Sequence, residues 1–114
     1  MMWLPLIAYF FGGALFTNAI PHFVAGVMGL AFQSPFAKPP GQGHSSSTVN
    51  VLWGAVNFVL AYLLLAHVGV FNLHNWLHAG AAAAGGLLIG LFTARHFGQF
   101  NGGNAPKDGA TPTP

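Results

Sequence analysis

Cysteine and glutamate are both absent from this 114-residue chain, and aspartate occurs once, at Asp108. Without cysteine there is no disulfide, no thiolate nucleophile, no cysteine-ligated iron–sulfur cluster and no Cys-type zinc site. Without paired carboxylates there is no acid–base pair for hydrolysis, no carboxylate-built calcium or magnesium site and no Asp-dependent triad. Charge is scarce altogether, because the only cations are Lys38, Arg95 and Lys107. A water-soluble domain carries about a quarter charged residues; four charged side chains among 54% hydrophobic residues are the composition of an integral membrane protein. The formal charge of +2 rests on scattered cations, not on the cluster that a nucleic-acid footprint requires, so no nucleic-acid partner is expected. The first residues lack a positive n-region and no small-x-small cleavage site follows, which argues against a removable signal peptide.

A spanning helix needs about 20 mostly apolar residues at about 1.5 Å each. Three stretches qualify, at about 3–22, 49–70 and 76–94. The expected fold is all-α: a single three-helix membrane domain over 1–97, and an extended tail over 98–114 whose Gly, Asn, Pro and Thr offer no core. The first apolar stretch, 3–36, is too long for one crossing, since its residues as a helix would reach about 51 Å against about 30 Å of hydrocarbon. A break or kink is expected near Pro21, which has no N–H and whose ring collides with the Thr17 carbonyl. Two registers follow. Either the span is 3–22 with an interfacial or re-entrant piece at 23–32, or it is 9–32 with a kink in mid-membrane; the first is preferred. In the loop 33–48, Pro35, Pro39, Pro40, Gly41 and Gly43 exclude regular structure, while Ser45 to Thr48 offers N-caps for the second helix.

With three spans, Lys38, Arg95 and Lys107 fall on one side of the membrane, and the turn at 71–75 on the other carries no cation. The positive-inside rule then puts the proline-rich loop and C-terminus in the cytoplasm and the N-terminus outside, with Trp3 and Trp76 at the outer interface. A bacterial plasma membrane is the expected setting.

Two polar groupings are candidate sites. Asn18 and His22, four apart, share a helix face, and Asn50, Gly54, Asn57 and Ala61 form a second narrow face of amide and small groups. Depth counting sets these level with Thr93 and Arg95. They are candidates for a ligand-binding pocket (Asn18, His22, Asn50, Asn57) that takes a head group, a quinone or an ion, with His22 as its titrating member. The commoner use of membrane Asn is helix-to-helix bonding, here also satisfying the carbonyl freed by Pro21. His67, His74 and His78 gather around the turn at 71–75. If the third helix extends back to His74, the 74/78 pair shares a face and His67 adds a third nitrogen for copper or zinc; alternatively His67 or His78 pairs with a histidine on another helix or chain as axial ligands of haem b. No carboxylate is present to orient these rings, interfacial histidines beside Trp76 are the commoner case, and no cofactor is expected to be bound by this chain alone.

The third helix is nearly bare of side chains from Ala79 to Gly86 and again at Gly90. Gly80, Gly85, Gly86 and Gly90 therefore mark close helix packing of the small-xxx-small kind. The partner is either the bulky second helix, through Phe58, Leu60, Leu63 and Leu64, or an external helix from another copy or a foreign subunit; an external partner is favoured. The loop is either a rigid docking element or a connection hugging the membrane, with Phe36 dipping in and Lys38 snorkelling. The leading functional expectation is a small non-catalytic accessory subunit that sits in the lipid bilayer and packs against other membrane subunits or copies of itself. Behind it stand a haem-, copper- or quinone-binding redox subunit and a homo-oligomeric channel lined by Asn18, His22 and Asn57. The channel suffers from the lack of any Asp or Glu in the membrane. An enzyme is not expected, since Ser45 to Thr48 is explained by capping and no base or oxyanion motif accompanies it.

Overall fold

The computed structural model describes residues 3–105. Their elements are α1 (Trp3–Val27), β1 (Phe32–Gln33), β2 (His44–Ser45), α2 (Ser47–Ala66) and α3 (Trp76–Asn101). All three helices are long and apolar enough to cross a bilayer.

Pro21 lies inside α1 without ending it, so the first helix runs past His22, where its end is expected from sequence, to Val27. The reason is tertiary. The turn beyond the proline packs on α2, with Gly54 seated against the Phe23 backbone and Gly26 against Val51 and the Ser47 carbonyl. α1 then stops in a Schellman turn: Gly29 takes φ 77°, and Leu30 and Gly29 donate to the carbonyls of Ala25 (2.9 Å) and Gly26 (3.0 Å). Residues 32–33 and 44–45 pair antiparallel, Phe32 opposite Ser45 and Gln33 opposite His44, which folds the proline-rich loop into a short hairpin under the bundle.

Ser46 caps α2 by accepting from the Val49 amide at 3.1 Å, and the helix ends at Ala66, short of the expected residue 70. There the chain must pass close to α1: any side chain at Gly69 would meet the Tyr9 hydroxyl and the Pro5 ring. Asn75 caps α3, its side chain accepting from the amides of Leu77 (2.8 Å) and His78 (3.2 Å). α3 runs beyond residue 94 to Asn101 and is closed by Gly102 at φ 74°. Phe97 explains the extra turns, since its ring packs edge-on against His22 and Phe32. The tail expected at 98–114 is thus helical over its first residues, and 106–114 lies outside the described residues.

α1 stands between the other two helices, which scarcely touch each other. α3 runs parallel to it, Phe10, Thr17 and His22 lying level with Gly85, Gly90 and Phe97. α2 is antiparallel, with Gly12, Asn18 and His22 opposite Leu65, Asn57 and Asn50. Lys38 and Arg95 therefore share one end of the bundle. In lipid no hydrophobic force pulls helices together, and close backbone approach through glycine supplies the dispersion energy instead. Gly85 sits directly on the Phe10 carbonyl and Gly13 on that of Ala82. The outer faces, including Leu52, Val56 and Val59 on α2 and Leu87, Leu88 and Leu91 on α3, are exposed, as acyl chains require.

Candidate functional site

The residues buried on α2 are Asn50, Gly54, Asn57 and Ala61, the face picked out by their four-three-four spacing. Asn57 donates to the Trp53 carbonyl one turn back at 2.8 Å. That bond fixes which end of the amide is oxygen, and the oxygen accepts from Asn18 Nδ2 at 3.1 Å. Asn18 is therefore left with its own Oδ1 free as an acceptor. Two turns back along α2, Asn50 Nδ2 lies 3.1, 3.2 and 3.1 Å from the carbonyls of Phe32, Ser45 and Ser46. Three acceptors around it make this atom the NH2, so Asn50 Oδ1 faces His22 Nδ1 at 3.0 Å. An amide oxygen only accepts, so His22 carries its proton on Nδ1 and, as a neutral ring, presents Nε2 as a lone pair. The side chains bond one another across helices; none of them bonds the Thr17 carbonyl among the described residues.

His22 is 2% exposed and ringed by Phe32, Trp53 and Phe97, all edge-on to it. Above the hairpin these groups open into a cavity of about 330 Å³ between α1, α2, α3 and the loop, lined by Asn18, His22, Trp53, Thr93, His96 and Phe97 among others. Arg95 is exposed and takes no part in it. The loop is tied to this end by several bonds. Ser34 Oγ pairs with Ser45 Oγ and accepts from the Phe36 amide, and His96 Nε2 meets the Gly41 carbonyl at 2.8 Å.

Sequence reasoning passed over His96, Trp53, Gln33 and Ser34 as site residues. The signal available for His96 was its i,i+4 spacing from Phe92, on which it stacks with an interplanar angle of 4°. Gln33 and Ser34 are buried by a hairpin that two residue pairs define, too short to read from periodicity. Gln33 Oε1 and Trp53 Nε1 are buried without a partner among the described residues.

The outer histidines do not converge. Asn75 is an extended N-cap, φ −84° and ψ 121°, which keeps α3 from reaching back to His74, so His74 and His78 do not share a helix face. His78 Nδ1 accepts from the Asn72 amide at 3.0 Å and its ring lies against Tyr9 and Phe71. His67 instead meets the Tyr62 hydroxyl at 3.0 Å. Among the described residues no three His, Cys, Asp or Glu side chains are grouped to hold a metal. The glycines of α3 divide as well. Gly85 and Gly86 pack on α1 at Phe10 and Thr17, not on the bulky face of α2; Gly90 touches only the Thr17 methyl, and Gly80 has nothing within 4 Å of where a side chain would begin. Set against family models, curated proteins and solved structures, the chain matches none of them.

Proposed function

We propose that this chain is a non-catalytic accessory subunit that packs through the outer half of α3 against a helix of another membrane protein. The observation that carries the reading is the face α3 leaves uncovered. Gly85 is the one buried residue of that helix, while Gly80, Ala83 and Ala84 lie exposed on a single stripe. Lipid-facing surface is ordinarily Leu, Val and Phe, as on the rest of this molecule; Gly80-x-x-x-Ala84 instead has the spacing that admits a close neighbouring helix.

Gly80→Leu tests this directly, because among the described residues nothing beyond the local helix backbone stands within 4 Å of where its side chain would begin. Extracted from its native membrane in mild detergent, the wild-type chain is expected to elute in a larger assembly at fixed ratio to other proteins. The variant should keep its helicity yet elute without them. A wild-type chain recovered as a stable lone monomer, or a Gly80→Leu chain that stays in the assembly, sinks the proposal.

The same reading sets the chain with the loop and the C-terminal end of α3 in the cytoplasm, supported by Lys38 and Arg95 at that end and by exposed Trp76 at the other. A cysteine placed at Gln42 should react with an impermeant maleimide only after spheroplasts are opened, and one at Asn72 beforehand. The reverse pattern would invert the assignment.

A further inference from the structure

The cavity above the loop has a chemical bias that the packing role of α3 does not use. Three of the side chains that line it present unpartnered acceptors, while its donors are either committed, as Thr93 Oγ1 is to Gly90 and His96 Nε2 to Gly41, or, as with Trp53 Nε1, buried in the wall. Asn18 Oδ1 is free because its amide nitrogen is committed to Asn57. His22 presents a lone pair at Nε2 because Nδ1 donates to Asn50. His96 Nε2 faces a carbonyl oxygen, that of Gly41, so Nε2 carries the proton and Nδ1 the lone pair of the neutral ring. None of these three atoms has a partner among the described residues, and all three side chains line one cavity of about 330 Å³, a volume at the small end of ligand pockets.

An acceptor-rich site calls for a donor. A cation is disfavoured, since no carboxylate lines the cavity to balance its charge. A neutral hydroxyl is not. Three of the remaining wall residues are aromatic, Trp53, Phe92 and Phe97, beside the loop's prolines, and such rings accept another ring edge-on or offset. Phe92, one of these walls, is 61% exposed, so this wall lies at the outward face of α3, the side from which a molecule dissolved in the membrane would arrive.

We infer that the cavity binds a lipid-soluble hydroxyaromatic compound of the quinol type, its hydroxyl groups donating to His22 Nε2 and to Asn18 Oδ1 or His96 Nδ1. The oxidised quinone has the same ring and no O–H to give, so the site should favour the reduced form. This preference separates the inference from simple partition into an apolar cleft, where the less polar form would bind better.

The test is anaerobic titration calorimetry of the full chain in lipid nanodiscs, with empty nanodiscs subtracted. The probes are trimethylhydroquinone, trimethylbenzoquinone and the dimethyl ether of the hydroquinone. The hydroquinone is expected to bind saturably and about tenfold more tightly than either partner probe, the factor set by one hydrogen bond. His22→Phe should remove the preference. Because His22 also holds Asn50, His96→Phe and Asn18→Leu serve as variants less tied to the fold, and at least one of them should bring the three probes to equal affinity. Equal binding of all three probes by the wild type, no saturable binding, or a preference untouched by all three substitutions would overturn the inference.

Discussion

Replacing Gly85 with alanine is expected to cost the protein its folded state in the membrane. A Cβ built at that position lands on the carbonyl of Phe10, which is main chain in the middle of α1 and has no rotamer through which to yield. Overpacking against side chains costs about 1–3 kcal/mol; here α3 must slide away from α1 as a body, and the cost should exceed about 3 kcal/mol. Two neighbours give the scale. At Gly86 the nearest obstacle is the Thr17 hydroxyl, 2.8 Å from the built atom, and a hydroxyl can rotate, so Gly86→Ala should cost about 1 kcal/mol. At Gly80 there is nothing to meet, and alanine there should be neutral or slightly stabilising through its better helix propensity. Circular dichroism melts in detergent would rank the three. A Gly85→Ala protein as stable as the wild type would mean that α1 and α3 do not meet as described.

The glycine series also explains what could be read in advance and what could not. Length, hydropathy and the missing carboxylates reveal three spans because the bilayer imposes one length on every crossing. The amide face of α2 was legible for a similar reason, as Asn50, Gly54, Asn57 and Ala61 recur at helical spacing. Pro21 misled. A proline weakens a helix locally, but the contacts of Phe23 and Gly26 with α2 are long-range, and no local rule contains them. The end of α3 was misplaced likewise, because the Gly- and Asn-rich composition near residue 100 says nothing of Phe97 packing on His22. The cavity lay furthest from view. It needs a loop residue, Gly41, brought within hydrogen-bond distance of His96, fifty-five positions away, and a two-pair hairpin to hold it there.

Asn50 should be the residue on which that whole end depends, and its isosteric replacement by aspartate separates shape from hydrogen bonding. The wild-type amide donates among three carbonyls, two of them belonging to the hairpin at Phe32 and Ser45, and accepts from His22. Asn50→Asp keeps volume and the acceptor for His22 but replaces the NH2 and its two donors by a carboxyl oxygen that has none when ionised and one when protonated, against three carbonyl oxygens. Asn50→Leu removes both functions and leaves His22 Nδ1 and the hairpin carbonyls unpaired at about 1–3 kcal/mol for each buried group. A single interhelical hydrogen bond in a membrane is worth on average about 0.6 kcal/mol, so a lone helix-to-helix contact would scarcely register. Asn50 instead joins two helices and a hairpin at one atom pair, and losses of about 3 kcal/mol or more are expected from both variants, with aspartate no better than leucine. The hairpin should then open, and limited proteolysis between residues 34 and 44 should accelerate at least tenfold in either variant while α2 and α3 stay protected by lipid. If Asn50→Asp resists the protease as the wild type does, the donor role assigned to Asn50 is wrong. The tautomer of His22 would lose its basis with it, since that assignment rests on the same amide orientation.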